Sequence, residues 1–374
     1  MKRLILIVWL LALLCLPAAA EENYDALLEA SGAQTLSGQL PGDVQELLRS
    51  LPGDPLQPET YTELSFSRVM QQLLSLLTRQ KSAPVQVFFS LTAVVVLAAM
   101  GSGLEGITAD LSLRQTYHTV SVLASCGLLL TPFVSLLTTV RQTVDSVSVF
   151  MLSYVPVYGA ILAAGGAPAG AVSYQTTLLA AAELLVQFIR AVVLPALTVS
   201  LALGCTGTVT EGFSLDALSA GIYKAILWAM GLFTTVFTGV LSVQQMVAAA
   251  GDTLSGRAMK FSLSSFVPVV GGALSEAYST VVGCAGLLRS TVGCFGLAAT
   301  ALILLPPLIA CLCWNFCLHM AAGTAALFQL GQLEKLCRTV AGAVRVLIGV
   351  LAVFALLMIL STSVIAFVGK GGGV

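Results

Sequence analysis

Residues 241–296 constrain this chain more than any other stretch, because they are apolar enough to lie in a membrane yet are repeatedly interrupted. They read LSVQQMVAAAGDTLSGRAMKFSLSSFVPVVGGALSEAYSTVVGCAGLLRSTVGCFG. Residues 261–275, between Lys260 and Glu276, carry no charge, and neither do residues 277–288, between Glu276 and Arg289. Each run falls short of the roughly 20 apolar residues that a spanning helix needs. Pro268 lacks a donor N–H and Gly271-Gly272 weakens helix just beyond it, so the first run is expected to be broken. Irregular backbone at bilayer depth is tolerated only where protein buries it or where it lines a wet cavity. The pattern therefore predicts a conduit, a gate or an assembly surface rather than a passive anchor.

The rest of the chain fits a membrane setting. Of its 374 residues, 57% are hydrophobic and only 9% charged, against roughly 25% charged in soluble domains. Mean hydropathy is +0.95. The formal net charge of −1 comes with no basic patch or zinc-finger spacing, which sets nucleic-acid binding aside. The predicted fold class is an all-α polytopic membrane protein.

Three regions are expected. Residues 1–20 have the form of a secretory signal: Lys2 and Arg3, an apolar core, then Ala18-x-Ala20 before Glu21. An uncleaved first anchor is the alternative, and either reading puts Glu21 outside the cytoplasm. Residues 21–84 are acidic and form a small extracytoplasmic segment. Its apolar positions recur at helical spacing: Val44, Leu47, Leu48 and Leu51, then Phe66, Val69, Met70, Leu73, Leu74 and Leu77. The turn-forming LPGDPLQP at 51–58 separates these two amphipathic helices. The segment is too small to bury much core alone, so it is expected to lie on the membrane domain or on a partner. Residues 85–374 form the polytopic domain, with a broken or re-entrant region near 252–290.

Spans are predicted at 85–104, 118–140, 147–165, 175–203, 222–247, 292–315 and 341–368. That gives about seven crossings, within a range of six to eight. Counting from an outside Glu21 places 251–290 inside, which suits the positive-inside rule. The same count places Lys335, Arg338 and Arg345 outside, which does not. A fold-back at Pro306-Pro307 would remove the conflict.

Within the membrane domain, Glu183 and Arg190 lie seven residues apart and share a helix face. Intramembrane charges usually face a bundle interior or a cavity, so the two are candidates for a polar lining or gate, or for a structural interhelical contact. Asp252, Arg257, Lys260, Glu276 and Arg289 flank the interrupted segments. They either hold half-helix ends at a pore wall or subunit contact, or are ordinary charges at the membrane surface. Gly271, Gly272, Gly283 and Gly286 permit close helix approach. Cys311, Cys313, Cys317 and His319 match no usual ligand spacing, and on a helix residues two apart diverge by about 200°. Apolar packing is the favoured reading there, and no metal or cofactor is expected. No P-loop, nucleophile elbow or zinc-protease motif is present.

The block GDTLSGRAMKFSLSSFVPVVGGALSEA at 251–277, with LSVQ before it and VVGCAGLLRSTVG after it, closely resembles the stage III sporulation protein AE family of endospore-forming bacteria. YVPVYGAILAAGGAP at 154–168 resembles a second block of that family. The resemblance implies a non-enzymatic, multi-pass protein of the mother-cell membrane around the forespore. There it would belong to a transenvelope channel complex that supports forespore gene expression and integrity after engulfment. The implied partners are the other products of the stage III sporulation A operon, a secretion-type ATPase and ring-forming proteins among them, and the forespore protein Q. Membrane lipid surrounds such a protein, and homo-oligomerisation stays open. A stand-alone secondary transporter is the alternative, because interrupted helices and buried charges also mark those proteins. No internal repeat supports it.

Overall fold

A computed structural model describes residue 24 and residues 26–49, 82–104, 111–209, 215–266 and 271–368. The side chains of 43, 47, 49, 82, 102–118, 208–209, 215–216, 260, 262–278, 361 and 363–368 lie outside the description. So do the signal-like residues 1–20, the second amphipathic run at 66–77, and Pro268. The described residues form helices and turns, with no strand among them. A short 3-10 helix, Ala33–Gln39, is followed by α1 (Gly42–Arg49), α2 (Ser82–Leu104), α3 (Leu111–Ala164) and α4 (Pro168–Phe188). A π-helical turn, Ile189–Val193, joins α4 to α5 (Leu194–Val209). Then come α6 (Leu215–Phe266), α7 (Gly271–Leu327) and α8 (Gly331–Val368).

Six stretches within these helices are long and apolar enough to cross a membrane. Six is the lower end of the expected range, and the difference from seven has a local cause. The predicted spans 118–140 and 147–165 are one uninterrupted helix, α3, of 54 residues. The polar hexad Arg141–Gln–Thr–Val–Asp–Ser146 that separated them contains neither Gly nor Pro, so its polarity does not end the helix. Pro132 and Pro156 also sit inside α3. Nor does the chain fold back at Pro306-Pro307, the one way out that the loop count left open, since α7 continues through both prolines. The 175–203 span is α4, the π turn and part of α5. α6 ends at Phe266 and α7 starts at Gly271, on either side of residues 267–270.

Two tight reversals make the hairpins. Gly165-Gly166-Ala167 closes α3 onto α4, with Gly166 at φ 84°, a conformation glycine adopts without a Cβ penalty. Pro168 then opens α4, where its missing N–H costs nothing. Between α7 and α8, Gln329 takes φ 56°, and the N–H groups of Gln329 and Leu330 bond back to the carbonyls of Ala326 and Ala325, each at 3.0 Å. The bundle is built mainly from α7 on α8, α3 on α4, α6 on α8 and α3 on α7. At the α3–α7 contact the Tyr154 ring is fully buried. It stacks on Phe150 and Tyr158, with centroids 5.5 and 5.4 Å apart. It packs against Gly296, where an added Cβ would overlap the ring. The glycines singled out in the sequence, Gly283 and Gly286, have open space instead, so they do not mediate this approach.

Residues 26–49 dock on the bundle. Leu28, Leu36, Leu40, Val44 and Leu48 are buried, with the 3-10 helix against α3 and α1 against α7. Each such side chain contributes about 1.5–3 kcal/mol when taken out of water. A small apolar cavity of about 100 Å³ lies between Leu27 and Ser31 on one side and Ile161 and Leu288 on the other. The segment therefore sits at the end of the bundle that carries the α3–α4 turn.

Candidate functional site

Polar side chains gather at two levels of the bundle. The first is the start of α4. A helix N-terminus leaves four N–H groups without intrahelical partners, and the residue before Pro168, Ala167, provides no side-chain cap. Asp252, on α6, does so from 82 residues away: Oδ1 accepts the Ala169 N–H at 2.9 Å and Oδ2 the Gly170 N–H at 2.8 Å. The carboxylate also faces the positive end of the α4 dipole. Asp252 is only 9% exposed, so it acts inside the bundle, as a cap on a helix of its own chain. One turn further along α4, Gln244 Oε1 accepts the Ser173 hydroxyl at 3.1 Å and the Thr177 hydroxyl as well. This seam fastens α4 to α6.

The second level begins about 20 Å further along α4, at Glu183, and reaches about 30 Å, at Arg190 in the π turn, at 1.5 Å per residue. Glu183, Gln187 and Arg190 fall on one exposed face. Glu183 and Arg190 share that face as their spacing predicts, and they do not pair with each other. Glu183 Oε1 accepts from Gln187 Nε2 at 2.8 Å. Arg190 instead reaches α3, donating from Nε and Nη2 to Asp145 Oδ1 at 3.1 and 2.5 Å. The ion pair is open, with 50% of the Arg190 side chain and 39% of the Asp145 side chain exposed. Arg141, one turn from Asp145 on α3, is exposed too and makes no ion pair among the described residues. Arg190 sits in the π turn, a feature often found at functional positions in helices.

Asp145 escaped the sequence analysis, although a signal was there. It is the one acidic residue between Asp110 and Glu183. Folding the chain back at Gly165-Gly166 sets it opposite Arg190 in antiparallel register. Of the other candidates, Arg289 is half-buried on α7, with its charge near the Tyr158 hydroxyl. Arg257 is exposed on α6. Gly271 and Gly272 open α7, and Glu276 follows within it; the Lys260 and Glu276 side chains and all of Pro268 lie outside the described residues. Cys311 and Cys317 are buried and His319 is exposed, 3.4 Å from Arg345 Nη2. No cluster of three or more metal-ligating side chains occurs among the described residues.

Long charge-poor helices, paired as hairpins and carrying polar groups at two discrete levels, define a multi-pass α-helical membrane protein. The family described as Stage III sporulation protein AE matches residues 57–369, and the chain belongs to that family. It is 24% identical over 325 residues to the Stage III sporulation protein AE of Bacillus subtilis (strain 168), a match covering 87% of this chain and 79% of that protein. No solved structure matches. The family is one of sporulation membrane proteins and is not a known enzyme family.

Proposed function

We propose that this chain is a non-enzymatic integral subunit of the channel complex that joins mother cell and forespore, seated in the mother-cell membrane around the forespore. The observation that carries the reading is the family match across 57–369. In this role the chain works with the other stage III sporulation A operon products and the forespore protein Q. It supports forespore gene expression and integrity after engulfment. Its own contribution is membrane structure: the level of Glu183 and Arg190 supplies polar lining or an assembly contact, while Asp252, Arg257, Lys260, Pro268, Gly271, Gly272, Glu276 and Arg289 shape the region around the α6–α7 junction. Residues 21–84 face the space between the two membranes. Leu28, Leu36, Leu40, Val44 and Leu48 are used up against the bundle, which leaves exposed Glu29 and Glu46 as the surface for ring-forming partners.

An in-frame deletion in the native host tests this, scored by heat-resistant spores and forespore morphology. Collapsed engulfed forespores with silent late forespore genes are the expected result. Normal spore yield in a strain with no second copy of the gene would overturn it and turn attention to solute uptake, the transporter alternative.

A further inference from the structure

We propose that the outer face of the α7–α8 pair, where His319 and Arg345 meet, binds the headgroup of an anionic phospholipid, with an acyl chain lying along the two helices towards the middle of the bundle. Three helices are free of charge over about one bilayer's thickness: residues 225–251 of α6, 290–318 of α7 and 346–368 of α8. At 1.5 Å per residue these runs cover about 35 to 44 Å, against roughly 40–45 Å for a bilayer with its headgroup layers. At one end they stop at the same level. Lys224 precedes the first run, His319 follows the second and Arg345 precedes the third. The Tyr223 ring packs against Gly342, one turn from Arg345, and Arg345 Nη2 lies 3.4 Å from His319 Nε2. That level is where the headgroups of one leaflet belong.

Base stands there alone. Lys224, His319 and Arg345 are all exposed, and none of them meets a carboxylate among the described residues. The next acid along α8, Glu334, is about 16 Å further out and is held by Arg338 at 2.8 Å. Within the charge-free band the hairpin of α3 and α4 carries two bases, Arg141 and Arg190, with two acids, Asp145 and Glu183; at its edge nothing described balances the three bases. With one guanidinium N–H given to His319, the others and the second imidazole nitrogen stay open to an acceptor. A phosphate diester is such an acceptor. Guanidinium meets it with two parallel bonds, and the Lys224 ammonium adds a point charge at the same level. A lipid with net negative charge fits this set, whereas an ethanolamine lipid brings a cation of its own.

The apolar side chains beneath point to lipid rather than to a free anion. His319, Phe316 and Leu312 share one face of α7, and Arg345, Leu356 and Ile359 share one face of α8. All four apolar side chains are exposed. α7 and α8 are joined by the turn at Gln329, so both stripes lead from the basic level into the charge-free band. Leu356 lies about 16 Å from Arg345 along α8, half the thickness of a hydrocarbon core and so the depth of one leaflet's acyl chain. Basic groups between membrane helices at the headgroup level are how bundles hold particular anionic lipids. A phosphate dissolved in water would leave the stripe uncovered.

The test is native mass spectrometry of the full chain in detergent, titrated with phosphatidylglycerol or with phosphatidylethanolamine of the same chain length. Phosphatidylglycerol is expected to bind about tenfold more tightly. Arg345→Ala is expected to weaken phosphatidylglycerol about fivefold, one basic residue's share at a membrane surface, and to leave phosphatidylethanolamine unchanged. Lys224→Ala, a second variant at the same level, is expected to act in the same direction and serves if Arg345→Ala lowers the unfolding midpoint of the lipid-free protein. Arg338→Ala, an exposed base beyond the band, is expected to change neither lipid. Equal affinity for the two lipids would overturn the proposal and leave the bases to an acidic protein partner. So would a loss from Arg338→Ala as large as that from Arg345→Ala, which would mean diffuse surface charge. Glycerol phosphate binding as tightly as phosphatidylglycerol would overturn it too, in favour of a free anion.

Discussion

Asp252 shows what one side chain does in this bundle. Its two oxygens satisfy adjacent N–H groups of α4 in a place water scarcely reaches. Asp252→Ala removes a cap from outside the helix and strands two donors. The expected loss is about 1–3 kcal/mol, read as a lower midpoint of thermal unfolding in detergent. Asp252→Asn keeps a single carbonyl acceptor and is expected to lose less, so a drop as large as that of the alanine variant would show that charge, not hydrogen bonding, matters most there. Gly296 is the second sensitive position: Gly296→Ala puts a Cβ into the Tyr154 ring and is expected to destabilise by about 1–3 kcal/mol through overpacking, whereas Gly286→Ala, with open space around it, is expected to be neutral in the same measurement. The sequence analysis singled out Gly286 and passed over Gly296, because an apolar run gives no ground for choosing between them. What separates them is the tyrosine facing one of them, and that depends on the register between α3 and α7. Asp145 was missed for the same reason, since a carboxylate's partner 45 residues away is set by where the hairpin turns.

At the scale of elements, helix existence was legible and helix ends were not. Long charge-poor runs announced every spanning stretch, because composition alone decides which segments can enter a bilayer. The division of α3 into two spans failed because polarity was taken for a terminator. A helix stops for backbone reasons, such as a left-handed residue or an absent donor, and Arg141–Ser146 offers none. Where such reasons exist, the turns were readable: Gly165-Gly166 before Pro168 is a helix stop followed by a start. The α7–α8 turn carried no comparable signal, since Gln329 holds the left-handed position normally given to glycine or asparagine. Gln329→Gly is accordingly expected to stabilise the protein by about 1 kcal/mol, by relieving the Cβ contact of that conformation. A rise in the unfolding midpoint in detergent checks it. An unchanged or lower midpoint would mean that the added freedom of the unfolded chain outweighs the relief.

At the scale of the molecule, the packing turns round the conflict that loop counting left standing. Residues 26–49 lie against the end of the bundle that holds the α3–α4 turn, and the Asp252 cap fixes the α6 end at that same turn. The region around 252 and the segment after the signal-like residues therefore share one side, where the sequence count had put them on opposite sides. α7 leaves that end beside Tyr158 and reaches the other 30 or so residues later, so Lys335, Arg338 and Arg345 at the start of α8 fall on the far side. Where the segment after residue 20 is taken as outside, those three basic residues face the cytoplasm, as the positive-inside rule prefers, while Arg257 and Arg289 fall on the outer side, against it. The consequence is directly measurable by labelling intact cells with a membrane-impermeant maleimide, in a background where exposed Cys294 is replaced by Ser. Gln34→Cys and Leu254→Cys, both at exposed positions, are expected to label from outside. Leu327→Cys, 81% exposed beside the α7–α8 turn, is expected to label only after the membrane is opened. Labelling of Leu327→Cys and Gln34→Cys from the same side would mean that α7 does not cross as one helix, and would restore a second crossing near Pro306-Pro307.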